Sequence, residues 1–180
     1  MVYVFLANGF ETVEALACVD ILRRADIETV TVGVGSKNIT SSQSIPVECD
    51  ETDLRIGFLD DIEAIVLPGG MPGTVNLEES KVVQDFIDFA VKRNIIIGAI
   101  CAAPSILGKK GLLKNKNATC FPGFEKYLSN AVYTGNSVEK DGNIITGKGM
   151  GVAVDFALEI VACLRGRELA DSIKKSIQAK

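Results

Sequence analysis

The chain has 180 residues, of which 47% are hydrophobic and 23% charged, and this composition predicts a single folded domain over residues 1–180. The formal net charge of −4 offers no basic surface to nucleic acid or an anionic membrane, so we expect neither partner. The five cysteines form no CxxC pair and histidine is absent, which argues against a disulfide framework and a metal site. The N-terminus has no signal-peptide pattern, which favours a cytoplasmic protein.

The first half of the chain alternates apolar runs with segments of helical periodicity. The predicted strands of this half are Val2–Ala7, Glu28–Gly35, Ser44–Cys49 and Glu63–Gly70, and the predicted helices are Glu11–Ala25 and Glu79–Arg93. The strand Ser44–Cys49 contains a proline, which should keep it at an edge and away from the centre of the sheet.

The second half continues this alternation and contains the strongest hairpin signal of the chain, Asp141-Gly142. Its predicted strands are Ile95–Ile100, Asn117–Phe121, Val132–Lys140 and Asn143–Gly147, and its predicted helices are a short one after Cys101, Val152–Leu164 and one from Glu168. Strands that alternate with helices predict an α/β fold, in which helices cover both faces of a mainly parallel sheet. The Asp141-Gly142 turn adds a small β-hairpin.

Several candidate functional residues lie at the carboxyl ends of predicted strands. Asn8, the pair Gly69-Gly70, Cys101 and Phe121 all occupy such positions. Ligands of open parallel sheets bind beyond the carboxyl ends of the strands, so the pattern gathers these residues at one edge of the sheet.

The segment IIIGAICAAPS, residues 95–105, places Cys101 between an apolar strand and a helix start. The free N–H groups of a helix start stabilise a thiolate, and thiols in such positions titrate at about 3.5–7.5 against about 8.5 for free cysteine. The alternative is a structural role, because free cysteine is among the most frequently buried residue types. Cys18 and Cys163 lie on apolar helix faces and fit that alternative, whereas Cys49 and Cys120 leave both roles open.

Glu14 is the candidate partner of Cys101. In the predicted first helix it shares a face with Cys18, Ile21 and Ala25, while charged residues occupy the opposite face. A carboxylate on a buried face is costly unless it is protonated or bound to a specific partner, and such acids are often functional. The alternative role is a first-turn acid that favours the helix dipole, and Glu11 would serve equally well.

Two glycine-rich segments are candidate ligand loops. In LPGGMPG, residues 67–73, backbone N–H groups can approach a ligand as an oxyanion hole does, although a simple tight turn would use the same residues. In TGKGMG, residues 146–151, the third glycine is one position early for a dinucleotide motif. The NGFE segment, residues 8–11, lacks the hydroxyl groups that a flavin phosphate would need. We therefore expect no cofactor.

Five segments carry a family resemblance: ANGFETVEAL, IVLPGGMPG, GAICAAPSIL, VEKDGNIITGKGMG and DFALEIV. Together they resemble the ThiJ/PfpI superfamily, and more closely the branch of the parkinsonism-associated protein deglycase and its bacterial chaperone-like relatives. The matching region runs from residue 2 to about residue 165, which predicts one ThiJ/PfpI-like domain over residues 1–180.

The resemblance implies a flavodoxin-like three-layer sandwich that forms homodimers. The nucleophilic cysteine of the family falls on Cys101 and its partner glutamate on Glu14, and the backbone N–H groups of the oxyanion hole fall on Gly70 and Ala102. Reported family activities are glyoxalase or deglycase chemistry on α-oxoaldehydes, peroxide sensing and chaperone action. The expected partner is a small aldehyde substrate or a glycated protein.

The chain departs from many relatives in its lack of histidine. Those relatives carry a histidine directly after the nucleophile or before a proline on a neighbouring strand, and here Ala102 and Phe121 occupy these positions. A protease with a Cys-His dyad is therefore not expected. The bacterial chaperone-like relatives also have an aromatic residue before that proline, so Phe121 agrees with that branch.

Two functions remain open on this basis. The first is a cysteine-dependent, cofactor-free glyoxalase or protein deglycase that acts on α-oxoaldehydes or early glycation adducts. The alternative is a non-enzymatic oxidative-stress sensor or chaperone, regulated by oxidation of Cys101. Both functions use the same residues, so the sequence does not separate them.

Overall fold

The structure, a computed structural model, describes residues 1–179. The strands are β1 (Val2–Leu6), β2 (Thr29–Gly33), β3 (Asn38–Thr40), β4 (Pro46–Glu48), β5 (Glu51–Thr52), β6 (Ala64–Leu67), β7 (Ile96–Ile100), β8 (Asn117–Ala118), β9 (Val132–Tyr133), β10 (Val138–Asp141) and β11 (Ile144–Gly147). The helices are α1 (Thr12–Arg24), α2 (Gly73–Glu79), α3 (Lys81–Arg93), α4 (Pro104–Lys109), α5 (Ala153–Arg165) and α6 (Arg167–Ser176), with 3₁₀ turns at Glu125–Tyr127 and Met150–Val152.

A seven-stranded sheet with the order β10-β11-β7-β6-β1-β2-β5 forms the middle layer. All neighbouring pairs in it are parallel except the hairpin of β10 and β11. The central order β2-β1-β6-β7-β11 is the 2-1-3-4-5 order of flavodoxin-like folds. The predicted fold class, an α/β three-layer sandwich with a mainly parallel sheet and a small hairpin, is therefore confirmed.

The side chains of β1 alternate between two hydrophobic cores, as the period of a strand requires. Val4 and Leu6 pack in the core formed with α1, α5 and α6. Tyr3 and Phe5 pack on the opposite face of the sheet, in the core formed with α2, α3 and α4. Both faces of the sheet are thus covered, which explains why its strands are apolar throughout.

Three predicted strands differ from the observed ones. The segment 44–49 forms only β4, which pairs with β3 in a separate two-stranded sheet. The predicted strand Asn117–Phe121 is reduced to β8. The predicted strand Val132–Lys140 is divided into β9 and β10, because Gly135 adopts a φ of +71° in a turn between them. The Asp141-Gly142 hairpin is confirmed, with Asp141 paired with Ile144.

Three elements were not predicted from the sequence: α2, β3 and β5. The helix α2 begins directly after the PGGMP segment, whose glycines and prolines indicate a turn rather than a helix. The predicted helices of the N- and C-terminal regions are present with small shifts of their ends. Among residues 1–179, no helix is long and apolar enough to cross a membrane.

Candidate active site

The loops that follow β1 and β6 are joined to each other at the carboxyl edge of the sheet. The amide of Glu11 donates to the carbonyl of Gly69 (2.9 Å), and the amide of Gly73 donates to the carbonyl of Gly9 (3.2 Å). Gly70 lies between these contacts with a φ of +90°, and a Cβ atom there would be only 2.4 Å from the Glu11 amide nitrogen. The two loops therefore form one rigid rim beside the end of β7.

Cys101 is held in a strained turn directly after β7. Its φ is +64°, in the left-handed region that non-glycine residues rarely occupy. Its amide donates to the carbonyl of Gly147 (2.9 Å), and its carbonyl accepts from the amide of Phe121 (2.8 Å). These two bonds fix the turn, and such strain, which costs on the order of 1–3 kcal/mol, is common where a side chain must be presented to a ligand.

Glu14 lies on α1 with no exposed surface. The residues predicted to share its face are buried as well, with Cys18 0%, Ile21 2% and Ala25 5% exposed. One carboxyl oxygen, Oε2, accepts from the amide of Gly69 (2.8 Å). The other, Oε1, is buried without a partner of hydrogen-bond geometry. The burial predicted for Glu14 is confirmed, and an acid with an unused oxygen is available beside the end of β7.

The predicted oxyanion donors Gly70 and Ala102 also lie at this site. Their backbone N–H groups lie near the Cys101 thiol and lower its pKa. Gly69, between Glu14 and Cys101, leaves the space that the pair occupies: a Cβ atom on it would be 2.6 Å from the Cβ of Cys101 and 2.8 Å from Oε2 of Glu14. The structure therefore brings together all four residues that the resemblance implied, and their roles stay predictions.

The electrostatics of the pair differ from the sequence-based expectation of an acidic thiol. Burial raises the pKa of Glu14 to about 7, against the lowering effect of the Gly69 amide and of the interaction with the thiol. Burial and the negative charge of Glu14 raise the pKa of Cys101 to about 12, and they outweigh the amides of Gly70 and Ala102. The helix α4 has only six residues and begins at Pro104, so it contributes no long helix dipole at the thiol.

The consequence is that Glu14 and Cys101 hold one proton between them over a wide pH range. The pair loses its first proton near pH 7, whereas removal of both requires two buried negative charges side by side. A nucleophilic sulfur at this site therefore depends on Glu14 carrying the proton. When Glu14 is neutral, its charge no longer opposes ionisation of the thiol, and the amides of Gly70 and Ala102 favour the thiolate.

The other cysteines lie in different environments. Cys18, Cys49 and Cys120 are buried, with at most 1% of each exposed. Cys163 is half-buried on α5. Burial raises the pKa of Cys49 and Cys120 to about 11 in each case. The structural interpretation of Cys18 agrees with its burial, and burial now favours the same interpretation for Cys49 and Cys120.

The remaining positions at the strand ends have different environments. The side-chain oxygen of Asn8 accepts from the amide of Thr40 (2.8 Å), which attaches the small β3–β4 sheet to the rim. Phe121 is 47% exposed and lies beside Gly149. Asn8 therefore has a structural bond, whereas Phe121 belongs to the open surface of the site.

Two cavities flank the candidate site, and Cys101 lines neither. One, of about 350 Å³, lies between Phe121-Pro122 and residues 148–152. The other, of about 270 Å³, lies between α2, α4 and the turn Glu125–Tyr127. Met150 lines the first and Met71 lines the second. Neither methionine was predicted from the sequence as a site residue. The one signal in the sequence is that each follows a glycine in a candidate ligand loop.

The expectation that no metal or cofactor is bound stays a prediction. Within residues 1–179, no three side chains of histidine, cysteine, aspartate or glutamate come close enough to hold a metal ion. The ammonium group of Lys148, in the glycine-rich segment 146–151, donates a hydrogen bond to the carbonyl of Gly135 (3.1 Å). That lysine thus ties two loops of the protein together.

Comparison with curated proteins shows similarity over nearly the whole chain. Protein dj-1beta of Drosophila melanogaster is 35% identical over 177 residues, which cover 97% of this chain and 94% of that protein. The Danio rerio homolog of Parkinson disease protein 7 is 33% identical over 181 residues, with 98% and 96% covered. A Caenorhabditis elegans relative named glutathione-independent glyoxalase DJR-1.2 is 28% identical over 170 residues, with 93% and 89% covered.

Solved structures give the same result. A crystal structure of a DJ-1 superfamily protein from Salmonella typhimurium superposes with a TM-score of 0.93 at 36% identity and covers 99% of this chain and 98% of that one. Toxoplasma gondii DJ-1 in an oxidised form superposes with a TM-score of 0.94 at 27% identity and covers 99% and 97%. The model of the DJ-1/PfpI family matches residues 1–163. The family match and these relatives together show that this chain belongs to the DJ-1/PfpI family.

Proposed function

We propose that the protein is a cysteine-dependent, cofactor-free glyoxalase that also acts as a deglycase on early adducts of α-oxoaldehydes. One observation carries this proposal: Glu14, fully buried and with one carboxyl oxygen unpartnered, lies next to the thiol of Cys101. A neutral residue would fill this buried position at a lower cost in stability, so an acid here points to a chemical role. The glyoxalase name of the Caenorhabditis elegans relative supports the same chemistry.

The reaction begins with addition of the Cys101 sulfur to the aldehyde carbon of the substrate. A carbon–sulfur bond forms, the carbonyl double bond opens, and the oxygen takes up the negative charge. We expect the amides of Gly70 and Ala102, which lower the pKa of the thiol in the free protein, to stabilise this oxygen. Glu14, which holds the proton while the sulfur is a thiolate, gives this proton to the oxygen. The product is a neutral hemithioacetal, and Glu14 is left as a carboxylate.

Glu14 then moves a proton between the two substrate carbons. Its carboxylate removes the proton of the carbon bound to sulfur, and an enediolate forms with its negative charge on the oxygen of the neighbouring carbon. The carboxylic acid then returns the proton to that neighbouring carbon, and the hydroxyl proton of the first carbon passes to the oxygen of the second. The result is a 2-hydroxyacyl thioester on Cys101, which water hydrolyses to a 2-hydroxy acid and the free thiol. The pKa of Glu14, raised to about 7, suits a group that both takes and gives a proton near neutral pH.

The test of this proposal is the variant Glu14→Gln. It keeps a hydrogen-bond donor near the sulfur and removes the proton carrier, so Cys101 should still react with iodoacetamide while turnover of methylglyoxal is lost. Proton transfer by a positioned acid or base is worth about 10²–10⁴ in rate, so the loss should be at least about a hundredfold. Cys101→Ser should lose both properties.

Two variants serve as controls for these measurements. Glu11→Gln changes the other acid at the start of α1, whose carboxylate caps the helix through the Val13 amide (3.4 Å). Cys163→Ser changes a half-buried cysteine elsewhere. Both should retain turnover. Turnover of Glu14→Gln close to that of the wild type would show that Glu14 is not the proton carrier.

A second candidate function is an oxidative-stress sensor or chaperone controlled by Cys101. Partial exposure of Cys101, in contrast to the burial of Cys18, Cys49 and Cys120, favours it. Under limiting peroxide, Cys101 should reach sulfenic and then sulfinic acid first, as peptide mass spectrometry would show. Cys120 packs in the core on the other face of the sheet, so we expect no disulfide with it. Prior oxidation of Cys18 or Cys163 would contradict this function.

A further inference from the structure

The cavity between α2, α4 and the turn Glu125–Tyr127 adjoins the proposed oxyanion loop. It is lined by Met71, which follows Gly70, and by Ser105, whose amide donates to the carbonyl of Ala102 (3.1 Å). The cavity of about 270 Å³ thus has walls in common with both segments that carry the proposed oxyanion donors. A ligand in it would lie next to the segments that carry these donors.

The polar groups of this cavity are mostly hydrogen-bond donors. Thr74 and Ser105 contribute hydroxyl groups from residues that are 2% and 3% exposed, and Oγ1 of Thr74 is buried without a partner. Lys109 and Lys126 contribute ammonium groups, which can only donate. Glu78 is the only carboxylate in the lining, and its Oε2 already accepts from Lys109 (2.7 Å). The lining therefore favours a ligand whose oxygens accept hydrogen bonds.

The charges of the lining point to an anion. The ammonium nitrogens of Lys109 and Lys126 lie 5.0 and 4.9 Å from the centre of the Tyr127 ring. Both cations therefore contact the same aromatic ring. Within residues 1–179, Glu78 pairs with Lys109, and Lys126 has no ion pair. The nearby carboxylate of Glu125 accepts from the amide of Gly123 (2.8 Å). One positive charge in the lining is thus left for a ligand, and a single carboxylate would balance it.

We propose that this cavity binds a small monocarboxylate, with Lys126 and Thr74 as its main donors. Its source would be either the 2-hydroxy acid product of the proposed reaction or the carboxylate of an amino acid adduct. This assignment of source rests on the proposed function, whereas binding of a carboxylate does not. The apolar wall of Met71, Val75 and Phe124 would accept the alkyl part of the ligand.

The test is titration calorimetry of the wild type and of Cys101→Ala with sodium lactate and with lactamide, its uncharged analogue. Lactate should bind both proteins, and lactamide should bind roughly tenfold more weakly or not at all, since hydrogen bonds from charged donors are the stronger ones. N-acetylalanine identifies the source: tighter binding than lactate indicates an amino acid adduct, and weaker binding indicates the product acid. Because Cys101→Ala has no turnover, binding is measured independently of the proposed function.

Variants with opposite expected effects on lactate binding test the assignment of the cavity. Lys126→Gln changes an exposed residue and should weaken lactate binding roughly tenfold, and Thr74→Val should also weaken it. Glu78→Gln should strengthen binding, because it removes a repelling carboxylate and releases Lys109. Lys114→Gln, an exposed lysine outside the cavity, should have no effect. Equal binding of lactate and lactamide, no effect of Lys126→Gln, or tighter binding of inorganic phosphate than of lactate would overturn the proposal.

Discussion

Glu14 has opposite effects on stability and on the proposed chemistry. A buried carboxyl group with one unpartnered oxygen lowers the free energy of unfolding, since its charged form loses hydration that the amide of Gly69 replaces only in part. The same burial raises its pKa to about 7, which would let it take up and give a proton near neutral pH. We therefore interpret Glu14 as a functional acid rather than a stabilising one.

We therefore predict that Glu14→Gln stabilises the protein increasingly as the pH rises. The pKa of Glu14 is raised from about 4.3 in the unfolded chain to about 7 in the folded one, so the folded state binds more protons and wild-type stability falls between these values. The variant lacks this loss. The free energy of unfolding, measured in urea, should be compared between the variant and the wild type at each pH. The advantage of the variant should be larger at pH 8 than at pH 4 by on the order of 1–3 kcal/mol.

Glu11→Gln provides the comparison for this pH dependence. Glu11 lies at the same end of α1 but is half-buried, and its carboxylate accepts from the amide of Val13. Glu11→Gln therefore reports what the loss of a carboxylate at this end of α1 does to the stability at each pH. A difference between Glu14→Gln and the wild type that stays constant from pH 4 to pH 8 would show that Glu14 titrates normally in the folded protein.

The elements around the site meet with little free space. The turn after β7 passes so close to the loop after β6 that only a glycine fits at position 69. The carbonyl of Gly69 holds the start of α1 through the Glu11 amide, and its amide holds the carboxylate of Glu14. One residue without a side chain thus sets the distance between α1 and the end of β7.

Gly69→Ala should disrupt this junction. The added Cβ atom would lie 2.6 Å from the Cβ of Cys101 and 2.8 Å from Oε2 of Glu14, so one of the two side chains has to move. We expect methylglyoxal turnover to fall at least about tenfold and the stability to fall by about 1–3 kcal/mol, the usual cost of overpacking. Gly57→Ala, where a Cβ atom meets nothing within 4 Å, is the control. Unchanged turnover in Gly69→Ala would mean that the junction tolerates displacement.

The sequence predicted those elements whose pattern follows from local geometry. The buried face of α1 with Glu14, and the strand that ends at Cys101, follow from periodicity and apolar runs. The strand predicted over 132–140 was wrong because periodicity does not register the turn at Gly135. The direction of the Cys101 pKa shift also was wrong, because it depends on the burial of the thiol and on the nearby charge of Glu14, and both are properties of the fold.

The cavity between α2, α4 and the turn Glu125–Tyr127 could not be predicted from the sequence, for a similar reason. Thr74 lies on α2, Ser105 on α4 and Lys126 in the turn that follows β8, and only Ser105 belongs to a segment that carries the family resemblance. Their proximity results from the packing of α2 and α4 on the same face of the sheet. Residues that meet only through such packing leave no spacing signal in a single sequence.

At the scale of the whole molecule, the order of the strands brings the site together. The neighbours β1 and β6 are followed by α1 and α2 on opposite faces of the sheet, which opens a crevice at their carboxyl ends. Glu14 enters this crevice from α1, and Cys101 enters it from β7, the neighbour of β6. The site is therefore assembled from segments far apart in the chain and depends on the complete fold.

The surface on the α1 side of the site leads to a prediction about assembly. Val13 and Leu16 lie one turn apart on α1 and are 46% and 38% exposed, and Phe121 and Met150 near the site are 47% and 53% exposed. Homodimers are expected from the family resemblance, and a two-fold interface is self-complementary, so this apolar surface is the part of the molecule that a second copy would cover. Covering it would remove exposed apolar area from water.

We predict that light scattering at micromolar concentration gives twice the chain mass of 19.2 kDa. Leu16→Lys should shift the protein towards a single-chain mass, because a charge at the centre of an apolar interface loses its hydration without a partner. Leu54→Lys is the matched control, since Leu54 is 82% exposed and lies in the loop after β5 rather than on α1. A single-chain mass of the wild type would contradict the dimer, and a dimeric Leu16→Lys would place the interface on another face.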